Sequence, residues 1–167
     1  MGLILSGQKI ILGGSDEGIP YRDYEYLVFE VEHHNPASSI VILGFGRRGD
    51  FRNSDGYLPS RLNCRIGVLP DLPTQIIFPL HYLNAQEIFL PRYPRQLKGT
   101  IGGQRIDPRE IDEVYINLQN HEGFRYKEKL SVRKVFLSKT MPNELPPPAG
   151  GWVDSLGQWS QRDWPGK

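Results

Sequence analysis

The chain has 167 residues, of which 38% are hydrophobic and 23% are charged, and its formal net charge is +1 at pH 7. This length and composition predict one globular domain and exclude an intrinsically disordered chain. The balanced charge argues against a nucleic-acid or membrane partner, and no apolar run approaches the roughly 20 residues of a membrane-spanning helix.

Short strands are the predicted elements, because 18 glycines and 14 prolines interrupt the chain too often for long helices. The predicted strands are residues 8–12, 24–34, 38–46, 61–69, 74–83, 111–120 and 129–139. Pro79 is expected to end the fifth strand, and a shift of the apolar pattern around Arg133 and Lys134 predicts a bulge in the last. Residues 47–60 and 98–110 are rich in turn-forming side chains and are predicted to be loops. The series predicts an all-β fold, an antiparallel β-sandwich of two sheets.

Three of these strands alternate clearly between apolar and polar residues, and their apolar sets are predicted to face the core. These sets are Leu27, Phe29 and Val31, then Cys64, Ile66 and Val68, and then Val114, Ile116 and Leu118. Cys64 is the single cysteine, which excludes an internal disulfide, and it is predicted to be a small buried side chain rather than a catalytic thiol.

The chain changes character near residue 140, which predicts a β-sandwich module over residues 1–140 and a Pro/Trp-rich linker over residues 141–167. The stretch "MPNELPPPAGG" is predicted to be stiff and extended, and unable to pair in a sheet. The protein's three tryptophans follow it: Trp152, Trp159 and Trp164. The N-terminus has no basic region and no small-residue cleavage site, so a signal peptide is not predicted in this sequence.

The segment order over residues 20–138 resembles the galactose-binding-like jelly-roll modules that accompany glycoside hydrolases, with "IIFPLHYL" and "IDPREIDEVYI" as the more specific pieces. The tail "WVDSLGQWSQRDWPGK" resembles the connector that leads from the β-sandwich to the (β/α)8 catalytic barrel in agarase-type enzymes. This likeness implies that the tryptophans pack on a catalytic domain of the same polypeptide. The alternative is that they fold back over the chain's own sandwich.

The resemblance implies a non-catalytic carbohydrate-binding module for agar or galactan chains, with a polysaccharide and the C-terminal catalytic domain as partners. It also implies a bacterial secreted, periplasmic or cell-surface location, with a cytoplasmic location as the alternative. The alternative function is a structural accessory domain that packs on the catalytic barrel without binding sugar itself. A further alternative is a β-sandwich hydrolase or lyase in its own right.

Sugar binding requires a flat apolar surface for the ring face and polar groups for the hydroxyls. The outward-facing strand residues expected to supply the polar groups are Tyr26, Glu30, Glu32, Asn63, Arg65, Tyr115, Asn117 and Gln119. The long loop adds Arg47, Arg48, Asp50, Arg52 and Tyr57. A tryptophan platform is missing from this set, because all three tryptophans lie in the tail.

Glu30 and Glu32 are the one pair of carboxylates that carries a catalytic hypothesis. Two residues apart on a strand, their side chains lie about 6–7 Å from each other, which is close to the separation found in glycosidases. The strand-borne motif of β-sandwich glycanases has three alternating acids, whereas here His34 follows the second. A sugar-contacting or solvated face is therefore favoured over an active site.

A structural calcium ion is the one cofactor that the resemblance brings into question. Asp16, Glu17 and Asp23 offer oxygen donors for half of such a site. Arg133 and Lys134 stand where the family commonly has an aspartate in the final strand, so calcium is not favoured. No histidine or cysteine spacing typical of zinc is present.

Overall fold

Nine strands are the main elements of the part of the chain that the structure describes. A computed structural model of the chain describes residues 2–6, 9–13, 18–19, 22–51, 61–119 and 130–148. The strands are β1 (Gly2–Ser6), β2 (Lys9–Gly13), β3 (Tyr26–Glu32), β4 (Ser39–Gly46), β5 (Leu62–Val68), β6 (Thr74–Pro79), β7 (Gln96–Gly102), β8 (Glu113–Leu118) and β9 (Ser131–Ser138). In these ranges the helices are two 3-10 turns, Leu80–Leu83 and Pro108–Glu110, and no helix is long and apolar enough to cross a membrane.

The strands form two antiparallel sheets that pack against each other. The larger sheet has six strands in the order β1-β2-β8-β4-β5-β7, and the smaller sheet has three in the order β6-β3-β9. Their inner faces form one core, in which the rings of Phe45 from β4 and Phe78 from β6 lie 4.7 Å apart between centroids. The predicted all-β sandwich of two sheets is confirmed.

The inner faces follow the alternation that the sequence predicts. The predicted inward sets of β3, β5 and β8 are all in the core: Leu27, Phe29, Val31, Cys64, Ile66, Val68, Val114, Ile116 and Leu118. These strands keep strict alternation because a shift of one residue would turn every apolar side chain toward the opposite face.

Two irregularities lie where the sequence predicts them. The register between β3 and β9 shifts between Glu30 and Val31, and the extra residue in β9 is Arg133. Pro79 is the last residue of β6, and Leu80 begins the 3-10 turn that follows. Proline has no backbone N–H to continue the ladder, so the strand stops there.

The prediction of a loop over residues 98–110 was wrong in its first half, because β7 extends to Gly102. The glycines that suggested a turn instead allow other residues to pack closely against the strand. A Cβ on Gly99 would lie 3.2 Å from the Cβ of Leu90, so the close approach of residue 90 to the strand favours glycine. The chain beside Leu90 pairs with β7 through a bridge between Phe89 and Thr100.

Residues 141–148, the C-terminal segment of the described chain, contain no strand, as predicted, but they are fixed to the sandwich. The Arg95 guanidinium donates hydrogen bonds to the carbonyl oxygens of Leu145 at 2.8 Å and Pro146 at 2.7 Å. The segment and Ile77 of β6 line a cavity of about 220 Å³ on the outer side of the smaller sheet. The division into sandwich and linker remains a prediction. Trp152, Trp159 and Trp164 lie outside the described residues.

Candidate functional site

The predicted binding residues divide between the two outer faces of the sandwich. Tyr26, Glu30 and Glu32 lie on the outer face of the smaller sheet. Asn63, Arg65, Tyr115 and Asn117 lie on the outer face of the larger sheet, with Gln119 just beyond the end of β8. Arg47, Arg48 and Asp50 follow β4, while Arg52 and Tyr57 lie outside the described residues. The outer faces of a sandwich point in opposite directions, so these residues do not form one site.

On the smaller sheet, the two glutamates are matched by cations of β9. Glu32 is buried, and its carboxylate accepts a hydrogen bond from the Arg133 guanidinium. Glu30 lies opposite Lys134 on one side and Gln75 on the other. Each glutamate of the pair therefore has a cation of β9 as its cross-strand neighbour.

A row of side chains crosses the outer face of the larger sheet. Thr100, Arg65, Ile42 and Asn117 lie opposite one another on four neighbouring strands, and Phe89 lies opposite Thr100 at the sheet edge. Residues directly opposite in antiparallel pairs share one face of the sheet. With strands about 4.8 Å apart, this Phe89 row, comprising the five residues just named, is about 19 Å long. Ile42 is buried, at 1% exposure, so the continuous part of the row that solvent reaches consists of Phe89, Thr100 and Arg65.

Phe89 gives the row an aromatic surface that solvent reaches. It is 49% exposed, and the Lys98 ammonium lies 4.5 Å from the centroid of its ring. The neighbouring Leu90 donates its N–H to the carbonyl oxygen of Gly99 at 3.0 Å, which fixes this stretch to β7. The sequence analysis missed Phe89. Its signal was an Ile88–Phe89 pair in a polar stretch, and Ile88 is also exposed.

Phe51 covers another part of the outer face of the larger sheet. Phe51 is buried and stacks on Tyr115, with ring centroids 5.5 Å apart. Glycine makes room for it, because a Cβ at Gly44 or Gly46 would lie within 3 Å of the Phe51 ring. Tyr115, a predicted sugar contact, is 7% exposed and packs here, while its hydroxyl accepts a hydrogen bond from Asn117 Nδ2 at 3.1 Å.

Ion pairs brace the chain on both sides of the loop that follows β4. Asp50 accepts hydrogen bonds from Arg61 Nε at 2.6 Å and from the backbone N–H of Arg47 at 2.8 Å. Partial burial acts to raise the pKa of Asp50, but these bonds and both positive charges outweigh it and lower the pKa. Arg47 in turn donates to Glu110 at 2.6 Å, whereas Arg48 is exposed.

Two further predicted residues are largely engaged in holding the sheet together. Asn63 is 4% exposed and donates from Nδ2 to the carbonyl oxygen of Arg61 at 3.1 Å. Gln119 donates its backbone N–H to Ile40 at 2.7 Å. On the larger sheet, Arg65 and Asn117 are therefore the predicted strand residues that belong to the Phe89 row and keep partly exposed side chains.

Metal binding and nucleophilic chemistry have little basis in the described ranges. Within them, no group of three or more His, Cys, Asp or Glu side chains is placed to hold a metal ion. Asp23 is exposed in a turn, whereas Asp16 and Glu17 lie outside these ranges. Cys64 is fully buried, and burial raises the pKa of its thiol, so a reactive thiolate is disfavoured.

Comparison of the chain with protein-family models, with curated proteins and with solved structures found no match. Function is therefore inferred from the geometry and chemistry of the Phe89 row.

Proposed function

We propose that this chain is a non-catalytic carbohydrate-binding module of a polysaccharide-degrading glycoside hydrolase, and that it binds polysaccharide along the Phe89 row. The observation that carries the proposal is a half-exposed Phe89 ring aligned in register with Thr100 and Arg65 on one sheet face. This ring supplies the aromatic surface that the outward-facing strand residues lack.

The chemistry of the row suits a sugar chain. A pyranose ring has an apolar face that stacks on an aromatic ring, and a rim of hydroxyls that need donors and acceptors. The Arg65 guanidinium and the Thr100 hydroxyl provide both kinds of group, whereas the Asn117 amide already bonds to the Tyr115 hydroxyl and the Leu118 N–H. A site borne by paired strands is rigid, so little conformational entropy is lost when a ligand binds.

The resemblance to jelly-roll modules of agarase-type enzymes supports agar or galactan chains as the ligand. It also supports a catalytic domain in the same polypeptide and a secreted or cell-surface location. In this proposal the module itself carries out no reaction, and cleavage belongs to that catalytic domain.

Affinity electrophoresis of the protein in gels containing agarose, porphyran or unrelated polysaccharides tests the proposal. We expect at least one galactan to retard the protein and Phe89→Ala to weaken binding about tenfold, as for an aromatic anchor. Phe136→Ala is the matched control. It removes a ring that also has a lysine ammonium over it, Lys134 at 4.8 Å, but that lies on the smaller sheet.

Retardation that is the same in both variants would place the sugar elsewhere, and no retardation on any polymer would reject sugar binding. Release of reducing sugar by the isolated protein would reject the non-catalytic assignment.

The fixed course of residues 141–148 favours one alternative, a structural accessory module that packs on a (β/α)8 barrel. Arg95 holds this segment against the sandwich, so the chain leaves it in a defined direction. This alternative predicts no retardation of the folded protein on any polymer, whereas the carbohydrate-binding proposal predicts retardation.

A further inference from the structure

A polar cavity of about 490 Å³ lies between the end of the Leu80–Leu83 turn and the residues that precede β8. The polar side chains that line it are Arg22, Arg105, Arg109, Asp107, Asn84 and Gln86. Among these described lining residues of the arginine cavity there are three guanidinium groups and one carboxylate. The sequence analysis gave none of these residues a role.

The single carboxylate is already engaged. Arg109 donates to Asp107 from Nε at 3.1 Å and from Nη2 at 2.7 Å. Hydrogen bonds from the side chain and backbone of Arg109 lower the pKa of Asp107 to about 2, so it is ionised at neutral pH. It therefore offsets Arg109, and the other two guanidinium groups of the lining belong to Arg22 and Arg105.

Arg105 is held in place by neutral groups. Its guanidinium donates from Nη1 to the carbonyl oxygen of Tyr82 at 2.5 Å and from Nη2 to that of Glu87 at 2.8 Å. In the described part of the chain no carboxylate lies within ion-pair distance of it. A guanidinium that is positioned by carbonyls keeps its full charge and loses little entropy when it meets an anion.

The cavity is also close to the Phe89 row. Gln86 in its wall precedes Phe89 by three residues, so their Cα atoms are at most about 11 Å apart. A polysaccharide chain that extends from Phe89 toward Gln86 would therefore pass close to the cavity.

We propose that the arginine cavity binds the anionic substituents, sulfate or carboxylate, of an acidic polysaccharide whose chain lies on the Phe89 row. This inference rests on the proposed carbohydrate-binding function and adds that the bound polysaccharide is negatively charged. Arginine forks match the paired oxygens of these groups, and such charge-assisted hydrogen bonds are stronger than those between neutral partners.

The test compares a sulfated galactan with the same galactan after chemical desulfation, by titration calorimetry at constant ionic strength. We expect the protein to bind the sulfated form about tenfold more tightly. Arg105→Gln and Arg22→Gln should each reduce that preference while binding of the desulfated form stays unchanged. Arg92→Gln removes an exposed arginine outside the cavity and serves as the control.

Two cavity variants are used because Arg105 also braces the backbone carbonyls of Tyr82 and Glu87, so a loss of preference seen in Arg22→Gln as well is not due to that brace. Sodium sulfate should reduce the preference more than sodium chloride of equal ionic strength, which separates anion recognition from screening.

Equal affinity for both polymers, or a preference that survives in both cavity variants, would overturn the inference. If both polymers then bind and Phe89→Ala weakens both, the proposed function stands without it. If neither polymer nor any other galactan binds the folded protein, the proposed function fails as well.

Discussion

The ring of Phe51 stacks on the ring of Tyr115 at an interplanar angle of 24°, on the outer face of the larger sheet. The stack requires glycine in the strand beneath it, because a Cβ at Gly44 would lie 2.7 Å from Phe51 Cε1. We expect Gly44→Ala to lower the free energy of unfolding by about 1–3 kcal/mol, as overpacking does. Urea denaturation would measure the loss.

Gly102→Ala is the control for that substitution, since the nearest atom to its Cβ is Asn63 Oδ1 at 4.0 Å. Phe51→Ala is itself destabilising because a buried ring is lost, but in that background Gly44→Ala should cost less than it does in wild type, because the clash is absent. Equal destabilisation by Gly44→Ala and Gly102→Ala would show that the stack is not what excludes a side chain at residue 44.

The ion pair between Asp50 and Arg61 predicts a pH dependence. Because the pKa of Asp50 is lowered in the folded protein, its contribution to stability is present above the unfolded pKa and is lost as pH falls through the folded pKa. We expect Asp50→Asn to cost about 1 kcal/mol at pH 7, and the difference from wild type to shrink once the pH falls below the ordinary aspartate pKa of 3.8 and to vanish below the lowered pKa of the folded protein. Urea midpoints measured between pH 7 and pH 2.5 would reveal a constant difference if the pair makes no contribution.

Arg95 combines an unfavourable backbone conformation with a useful side chain. Its φ is 65°, in the left-handed region that favours glycine, yet its guanidinium holds residues 141–148. Arg95→Ala should release the segment, which heteronuclear NOE values of the backbone N–H groups of Asn143, Glu144 and Leu145 would detect as increased mobility. Arg95→Gly should release it equally while being about 1 kcal/mol more stable than Arg95→Ala.

Unchanged heteronuclear NOE values in both Arg95 variants would show that packing alone holds the segment. Arg92→Ala removes an arginine three residues away, whose Nε donates to the carbonyl oxygen of Gln96, and it should leave these values as in wild type.

Cys64 should not react with thiol reagents in the folded protein. The side chain is fully buried and its pKa is raised by that burial, so thiolate is scarce and the reagent has no access. We expect a disulfide reagent to react only at the rate of unfolding and to react fully in denaturant. Rapid labelling of the native protein would contradict the burial of β5 in the core.

The sequence predicted well which strand residues face the core, because the alternation of apolar and polar residues indicates directly which side chains are buried. Leu27, Cys64 and Val114 each lie in a strand whose apolar face is unambiguous. It did not reveal which sheet each strand joins, so Glu30 and Arg65 were assigned to one binding surface although they lie on opposite faces.

The residues that the sequence analysis missed owe their positions to tertiary contacts. Phe51 and Phe89 both stand in polar stretches without periodicity, and only the pairing of the chain around them shows that one is buried and the other exposed. The sequence analysis missed β7 for a similar reason. Gly99 suggests a turn in the sequence, and only the structure shows that it makes room for Leu90.

The most direct test of carbohydrate binding on the larger sheet is a titration of the ¹⁵N-labelled protein with agarose-derived oligosaccharides followed by NMR. We predict that the largest backbone shift changes fall on Phe89, Thr100, Arg65 and Asn117, while β3 and β9 stay unperturbed. Changes confined to β3 and β9, or no change at saturating sugar, would contradict the assignment of this face as a polysaccharide-binding surface.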